Sequence, residues 1–200
     1  MIGGIAWVAA AVASLAAGAL LVCPAGECRT LAFDEAALML AQGWQASWLD
    51  AGFAALTWLG SLYVLIPLSL LLFWRMRAPW RAYLPLAVAG AAALAQLAKL
   101  IVVRPRPELY PALVDMPADA SFPSAHAMQA AAFVVAWLCR PGANPGIGAI
   151  LAAAGLVLLV SLSRIHLQVH FPSDVVFGAA AGACWALALR SLFLRKRAQP

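Results

Sequence analysis

Charged residues are scarce in this chain, and that scarcity excludes an ordinary soluble fold. Only 10% of the 200 residues are charged and 65% are hydrophobic, with a mean hydropathy of +0.90. A soluble domain of average composition carries about 25% charged residues. The sequence therefore predicts an integral membrane protein that forms a single domain over residues 1–200.

Two other absences narrow the function. No basic run with interleaved aromatic residues is present, so no nucleic-acid partner is expected. The four cysteines lack the spacing of a metal site, since Cys139 and Cys184 lie in apolar runs while Cys23 and Cys28 bracket a short loop. That loop permits either a local disulfide or two free thiols.

Six apolar runs predict the fold class. They cover residues 5–22, 52–74, 82–103, 123–139, 147–162 and 175–194, and a helix needs about 20 apolar residues to cross a bilayer. The first run lacks the positively charged start of a signal peptide, so we interpret it as a membrane helix. The sequence predicts an all-α integral membrane bundle of six transmembrane helices, with its core over residues 52–194.

Residues 31–50 differ from the six runs because polar side chains are mixed with apolar ones. The apolar side chains recur at helical spacing, which predicts an amphipathic helix in the membrane interface after the first span. A polar extension of the next span is the alternative. With the first span, this helix makes up the N-terminal part, residues 1–51. The apolar positions are Phe33, Ala36, Ala37, Leu40, Trp44 and Trp48.

Six spans place both termini on one side of the membrane, and that side holds most of the Lys and Arg residues. All eight acidic residues fall on the other side. Because cytoplasmic loops are enriched in Lys and Arg, we expect cytoplasmic termini and an outer, periplasmic face opposite them in a cell inner membrane. The cytoplasmic set is Arg75, Arg77, Arg81, Arg140, Arg190, Arg195, Lys196 and Arg197, and the outer set is Arg29, Lys99, Arg104, Arg106 and Arg164.

The connector over residues 163–174 concentrates polar chemistry between the last two apolar runs. It contains His166 and His170, two of the three histidines, together with Arg164 and Asp174. His170 and Asp174 are four residues apart, so one helical turn would place them on the same face. A carboxylate beside an imidazole prepares it for nucleophilic or acid/base work. A polar helix cap at a membrane surface is the alternative.

The predicted topology brings two more polar segments to the face that carries this connector. Lys99 and Arg106 follow the third run, and Ser124 and His126 begin the fourth. With Arg164 they form a set of three cations and a hydroxyl that suits a phosphate group. One histidine would attack phosphorus and the other would protonate the leaving oxygen. Since the cations neutralise the developing charge, we expect no metal and no other cofactor.

In their order and spacing, the three segments resemble the signature of the type 2 phosphatidic acid phosphatase family. The family pattern is Lys-x6-Arg-Pro, then Pro-Ser-Gly-His, then Ser-Arg-x5-His-x3-Asp. The resemblance runs from about residue 52 to 194 and implies a metal-independent phosphatase or phosphotransferase with a phosphohistidine intermediate, on a six-helix bundle. The matching positions are Lys99, Arg106, Pro107, Pro123, Ser124, His126, Ser163, Arg164, His170 and Asp174.

The resemblance implies a role for each matching residue. His170 is the implied nucleophile, Asp174 orients it, and His126 is the implied acid for the leaving group and then the base for water. Ala125 departs from the pattern because the family usually has Gly there, and its methyl group would narrow the approach of backbone N–H to phosphate. The implied phosphate ligands are Lys99, Arg106, Ser124, Ala125 and Arg164.

The implied function is hydrolysis of a lipid phosphate or pyrophosphate at the outer leaflet, with undecaprenyl pyrophosphate as the first choice of substrate. The alternatives are a phosphatidylglycerophosphate, phosphatidic acid or lipid A phosphatase or phosphotransferase, and a lipid-binding protein with a decayed site. The expected partners are the lipid substrate and the bilayer.

Five polar residues near the three segments lie outside the signature. We interpret Arg104 as a cation at the rim of the site or a lipid-headgroup contact, and His166 as an interfacial polar residue. For Glu108, Asp115 and Asp119 we prefer the interpretation as solvated loop charges, and the alternative is that they shape the mouth of the site.

Overall fold

A computed structural model of the chain describes residues 2–77 and 80–196, and within those ranges it is helical and contains no strand. Ala78 and Pro79 of the basic turn, and Arg197 of the C-terminal basic cluster, lie outside the described residues. The α-helices are α1 (Ile2–Val22), α2 (Ala32–Gly43), α3 (Ser47–Leu56), α4 (Leu62–Phe73), α5 (Tyr83–Ile101), α6 (Ala125–Leu138), α7 (Ile147–His166) and α8 (Pro172–Lys196).

Four helices among the described residues are long and apolar enough to cross a membrane, namely α1, α5, α7 and α8. The bent pair of α3 and α4 adds a fifth if it counts as one span. Helix α6 has 14 residues, about 21 Å of length, whereas a bilayer core is about 30 Å thick. The all-α membrane fold is confirmed, while six full spans are not.

The predicted second span, residues 52–74, is not one straight helix. A 3-10 turn, Thr57–Gly60, separates α3 from α4, and the two helices are bent by 46°. Ser61 has an extended backbone (φ −84°, ψ 153°), and its Oγ donates to Trp58 O at 2.8 Å. At Gly60 an added Cβ would lie 3.0 Å from His126 O. Because Gly60 has no side chain, the 3-10 turn between α3 and α4 can approach the start of α6.

The predicted interfacial helix over residues 31–50 is interrupted as well. Helix α2 ends at Gly43 and α3 begins at Ser47, because the backbone of Ala46 is extended (φ −154°, ψ 142°). Trp44 and Trp48 are exposed, as the apolar stripe predicts, whereas Asp34 on the opposite face of α2 is fully buried. Helix α2 thus presents apolar side chains outward and one carboxylate inward.

The loop after α1 is closed by a disulfide between Cys23 and Cys28. Of the two alternatives that the sequence leaves open, the structure contains the disulfide. The N–H of Arg29 donates to Val22 O at 2.8 Å, so the chain doubles back at the end of α1. This turn directs the chain toward α2.

Helix α8 lies at the centre of the bundle and packs against α1, α5 and α6. Gly178 and Gly182 bring its backbone close to the start of α6, since a Cβ at Gly178 would lie 2.8 Å from Ser124 O. A Cβ at Gly182 would overlap the backbone carbonyl of Met128. Small residues four apart allow such close helix contact in membrane proteins.

Replacing Gly182 by valine is expected to destabilise the bundle by about 1–3 kcal/mol, because overpacking forces the helices apart. The melting temperature in detergent should fall, and activity should fall with it, since α6 and α8 both carry site residues. Gly155→Val on α7 is the control, as no described atom lies within 4 Å of an added Cβ there. Equal melting temperatures for the two variants would contradict close packing at Gly182.

Candidate active site

The connector between α7 and α8 is a tight turn. Gln168 adopts a left-handed backbone (φ 59°), and the N–H groups of Val169 and His170 donate to Arg164 O at 3.2 and 3.3 Å. Pro172 then begins α8, where its fixed φ suits the first helical position. The turn places His170 between the last turn of α7 and the first turn of α8.

Asp174 lies beside His170 as predicted, although His170 itself is outside the helix. Asp174 Oδ2 is 3.5 Å from His170 Nδ1. The same oxygen accepts the N–H of Phe171 at 3.0 Å, which is a helix-capping contact. Asp174 therefore both caps α8 and contacts the imidazole of His170.

Ser121 is a third member of this contact that the sequence pattern does not predict. Its Oγ donates to Asp174 Oδ2 at 2.5 Å and lies 3.4 Å from His170 Nδ1. Ser121 is fully buried, just before the second motif. It helps to hold the Asp174 carboxylate against the ring.

The other nitrogen of His170 is directed toward a cation. Nε2 lies 3.3 Å from Arg106 Nη1, and a guanidinium can only donate. Nε2 is therefore the acceptor, and the proton of the neutral ring is on Nδ1, next to Asp174. Burial, and then the charges of Arg106 and Arg164, hold the pKa of His170 well below its usual value. At neutral pH the imidazole is neutral, and its Nε2 lone pair accepts from Arg106 Nη1.

Lys99 and Arg106 meet at one carboxylate. Asp119 Oδ2 is 3.2 Å from Lys99 Nζ, and Asp119 Oδ1 accepts from Arg106 Nη2 at 2.6 Å. Lys99 Nζ also donates to Ala120 O. Burial alone would raise the pKa of Asp119, but the hydrogen bond from Arg106 and the charge of Lys99 outweigh it, so the pKa is lowered. Lys99 and Arg106 are two of the three charged residues predicted to bind phosphate, and both already contact the oxygens of a carboxylate.

The interpretation of Asp119 as a solvated loop charge is therefore wrong. Its side chain is 39% exposed, so solvent can reach it, yet both carboxylate oxygens contact cations. Asp115 lines the same cavity and pairs with no cation in the described part of the chain, whereas Glu108 is exposed and is not among the lining residues. Sequence spacing gave no signal for Asp119, since the loop over residues 107–121 has no regular pattern.

Six of the eight predicted site residues border one cavity of about 960 Å³. Helix α5 supplies Lys99, α6 supplies Ala125 and His126, and α7 supplies Arg164. The cavity is also lined by polar residues that the sequence does not predict. One of them is Thr57, whose Oγ1 accepts a hydrogen bond from Arg164 Nη1 at 2.8 Å. The lining residues that matter to the chemistry are Thr57, Gln96, Lys99, Arg106, Asp119, Ala125, His126, Gln129, Arg164 and His170.

Ser124 and Asp174 lie behind this lining and not on it. Ser124 is the residue before α6 and is fully buried. Within residues 2–77 and 80–196, its Oγ and the Nε of Arg164 have no hydrogen-bond partner. Buried polar atoms without partners carry a desolvation cost, which a ligand with acceptor oxygens would offset at Arg164. Ala125 takes the place of the usual glycine in the first, helical turn of α6, a backbone that accepts a side chain.

Contrary to the sequence interpretation, Arg104 is neither a cation at the rim of the site nor a lipid-headgroup contact. Its side chain is 1% exposed, and it donates to Asp174 Oδ1 at 2.6 Å and to Asp34 Oδ2 at 2.9 Å. Two carboxylates compensate for the cost of burying the guanidinium. Arg104 and Arg106 are only two residues apart, yet they contact opposite sides of the His170–Asp174 pair.

His166 is not an interfacial residue either. Its side chain is 5% exposed, and Nε2 lies 2.7 Å from Asp50 Oδ1. Its ring packs 4.5 Å from that of Phe53. These contacts tie α7 to α3, away from the residues that line the cavity.

These features define a class of protein: a helical membrane protein in which a neutral, carboxylate-bound histidine and three cations border one cavity. The sequence profile of the PAP2 superfamily matches residues 80–198, and the chain belongs to that superfamily. The family resemblance that the three motifs predict is thereby confirmed.

Named relatives agree with this assignment. Phosphatidylglycerophosphatase B of Bacillus subtilis is 31% identical over 161 residues, 76% of each chain. Decaprenylphosphoryl-5-phosphoribose phosphatase of Mycobacterium tuberculosis is 42% identical over 104 residues. That match covers 48% of this chain and only 54% of the relative, so the chain spans about half the length of that protein.

Two crystal structures share the fold. A transmembrane PAP2-type phosphatidylglycerolphosphate phosphatase from Bacillus subtilis superposes with a TM-score of 0.75, at 24% identity and over 98% of both chains. LpxE of Aquifex aeolicus has a TM-score of 0.66 at 27% identity, over 80% of this chain and 96% of that one. The first likeness extends over nearly the whole chain and includes the N-terminal helices.

Proposed function

We propose that this protein hydrolyses a lipid phosphate or pyrophosphate without a metal, through a phosphohistidine intermediate on His170. The observation that carries the proposal is that His170, whose Nε2 lies 3.3 Å from Arg106 Nη1, lines one cavity together with Lys99, Arg106 and Arg164. Cations placed around a nucleophile bind the equatorial oxygens of a phosphoryl group and stabilise charge that develops in the transition state. Both relatives found by sequence are named as phosphatases, which supports the same reaction class.

In the first step, Nε2 of His170 attacks phosphorus and the bond from phosphorus to the leaving oxygen breaks. His126, on the first turn of α6 and in the same cavity, acts in its protonated, imidazolium form and gives that proton to the leaving oxygen. Asp174 stabilises the positive charge that the His170 ring acquires, as the carboxylate of a catalytic triad does. The lipid alcohol or lipid phosphate then leaves.

In the second step, His126 is neutral and takes a proton from water while the water oxygen attacks phosphorus. The nitrogen–phosphorus bond breaks, inorganic phosphate forms, and His170 is again neutral. Lys99, Arg106 and Arg164 hold the phosphoryl oxygens in both steps. The balance requires one water and no further reactant.

A lipid substrate suits the walls of the cavity. Trp58, Leu62 and Tyr63, from the break between α3 and α4, line it and are exposed on its outer side. An apolar chain would stay along this surface in the bilayer while its phosphate reaches the cations. Trp44 and Trp48, which follow α2 and begin α3, are exposed and fit an interfacial position for this amphipathic segment.

Undecaprenyl pyrophosphate is the proposed substrate, and a phosphatidylglycerophosphate, phosphatidic acid or lipid A phosphate is the alternative. The mycobacterial relative is named for a polyprenyl-linked substrate, which favours the first, while the Bacillus relative is named for phosphatidylglycerophosphate. The test is phosphate release by the purified protein from a panel of these lipids in excess EDTA. No release from any lipid, with phosphate still bound, would favour a non-enzymatic lipid-binding protein.

We also propose that α6 completes a sixth crossing, with both termini cytoplasmic and the cavity at the outer face of the inner membrane. Two contacts support one basic end of the bundle: Arg190 Nε donates to Cys139 O at 3.0 Å, and the ring of Trp80 lies 5.5 Å from that of Phe193. The connector residues at the other end carry the acidic side chains. Removing the cations that serve phosphate from the count strengthens the bias toward a cytoplasmic basic end.

Single introduced cysteines are expected to report this orientation. In a background that lacks Cys139 and Cys184, Glu108→Cys should react with a membrane-impermeant thiol reagent on intact spheroplasts, and Asn144→Cys should not. Both positions are exposed, so after permeabilisation both should react, which is the control. The reverse pattern on intact spheroplasts would place the cavity in the cytoplasm.

Replacing Asp119 by asparagine is expected to lower the inhibition constant of inorganic phosphate several-fold. The ionised carboxylate occupies Lys99 and Arg106 in the absence of ligand, so a phosphate must displace it. The neutral amide competes less well for the same cations. Asp115→Asn, on the same loop, is the control. An unchanged or higher inhibition constant in Asp119→Asn would show that the carboxylate organises the cations instead of competing with substrate.

A further inference from the structure

Arg104 connects the His170–Asp174 pair to the N-terminal part of the chain. Its Nη1 donates to Asp174 Oδ1 at 2.6 Å and to Ser173 Oγ at 2.8 Å. Its Nη2 donates to Asp34 Oδ2 at 2.9 Å and to Arg29 O at 3.0 Å. The guanidinium also lies over the ring of Phe171, 4.0 Å from its centroid. With both terminal nitrogens occupied, Arg104 has no free fork for a phosphate.

Asp34 is held as tightly as Arg104. The N–H of Ser173 donates to Asp34 Oδ1 at 2.9 Å, and Ser173 Oγ donates to Oδ2 at 2.8 Å. Asp34 lies in the first turn of α2 and Ser173 in the first turn of α8. The carboxylate is fully buried, so it is part of the interior and not of the interfacial surface of α2.

The charges in this cluster bear on the reaction. Two carboxylates, Asp34 and Asp174, surround one guanidinium, Arg104, so the cluster carries a net negative charge when all three are ionised. When Nε2 of His170 bonds to phosphorus, the ring becomes positive, and a net negative charge beside Nδ1 stabilises it. If Asp34 were neutral, Arg104 would cancel Asp174, and the ring would lose most of that stabilisation.

We propose that Asp34 and Arg104 are positioning residues for phosphoryl transfer, which fix the orientation and effective charge of Asp174 behind the nucleophile. This inference rests on the proposed function. Asp34 lies outside residues 80–198, the part matched by the family profile. The N-terminal helices of this chain therefore complete the reaction centre, in addition to their place in the membrane.

The test compares Asp34→Asn with Glu35→Gln, the next residue on α2, which is exposed. Asp34→Asn should lower kcat by about 10- to 100-fold, the usual effect of losing an outer partner of a reacting group. KM and the inhibition constant of phosphate should stay within about twofold of wild type, because Asp34 does not reach the cavity. Glu35→Gln should match wild type in every measurement.

Arg104 is tested by substitution with lysine, since alanine would leave two buried carboxylates unpaired and could prevent folding. Arg104→Lys should lower kcat without changing phosphate inhibition. In the double variant Asp34→Asn with Arg104→Lys, the two losses in kcat should not be additive, because both residues act through Asp174. The steady-state level of labelled phosphoenzyme should fall in the variants in proportion to the loss in the rate of its formation.

Three results would overturn the inference. One is a wild-type kcat in Asp34→Asn, and another is a parallel loss of kcat, phosphate binding and melting temperature, which would indicate structural damage alone. The third is fully additive losses in the double variant. Inactivity of wild type and Glu35→Gln on every lipid would instead overturn the proposed function, and the inference with it.

Discussion

Replacement of His170 by alanine is expected to reduce turnover by on the order of 10⁴-fold or more, since the reaction loses its nucleophile. The ring is buried, but it lies on a turn that stays tied to α7 by backbone bonds from residues 169 and 170. The protein should therefore remain folded. The measurement is lipid phosphate hydrolysis, together with the melting temperature in detergent.

Covalent labelling makes this prediction specific to the nucleophile. A phosphohistidine withstands alkaline quench, so labelled phosphate should remain on wild-type protein and be absent from His170→Ala. His166→Gln is the control, because His166 belongs to the same connector but pairs with Asp50 at 2.7 Å. Label retained by His170→Ala would assign the nucleophile to another residue.

Hydropathy predicted which parts of the chain are membrane helices but not where they bend. The run over residues 52–74 is mostly apolar, yet α3 and α4 are bent by 46° at Ser61. Gly60 approaches His126 O, and Ser61 bonds back to Trp58 O. The contact at Gly60 depends on a partner distant in sequence, so a window average cannot detect it. The same limit applies to α6, which has 14 residues. The predicted span over residues 123–139 is longer because it includes the flanking motif residues.

Motif spacing predicted the residues of the cavity because each motif lies at the end of a helix. Lys99, His126, Arg164 and Asp174 occupy end turns of four helices, and one consistent topology brings those ends together. Arg106 joins them through its contacts with Asp119 and Val169 O. The order of the motifs therefore indicated which helix ends lie close together.

The supporting residues had no comparable signal. Arg104 and Arg106 sit in a repeated Arg-Pro pair, and nothing in the sequence says that one faces Asp34 and the other the cavity. Asp34 is one of the polar residues in the predicted amphipathic segment over residues 31–50, where a carboxylate is ordinary. Its partner Ser173 is 139 residues away in sequence. Only the packing of α2 against the start of α8 brings the two together.

Replacing His126 by alanine is expected to produce a different defect from the loss of His170. For lipid substrates, whose alkoxide or phosphate leaving groups need a proton, activity should fall by about 10²- to 10⁴-fold, the usual contribution of a general acid. For an aryl phosphate such as p-nitrophenyl phosphate, the leaving group departs without a proton, so formation of the phosphoenzyme should be nearly normal.

The second step still needs a base, and this requirement supplies the decisive measurement. With p-nitrophenyl phosphate, His126→Ala should release a burst of nitrophenol and then turn over slowly, because water attacks the intermediate without assistance. The labelled phosphoenzyme should accumulate above the wild-type level, whereas His170→Ala should show neither burst nor label. Gln129→Ala, one turn further along α6 and in the same cavity, is the control for a change in the lining alone and should not accumulate label. Equal losses of His126→Ala on lipid and aryl substrates, with no burst, would show that His126 binds phosphate and does not transfer the proton.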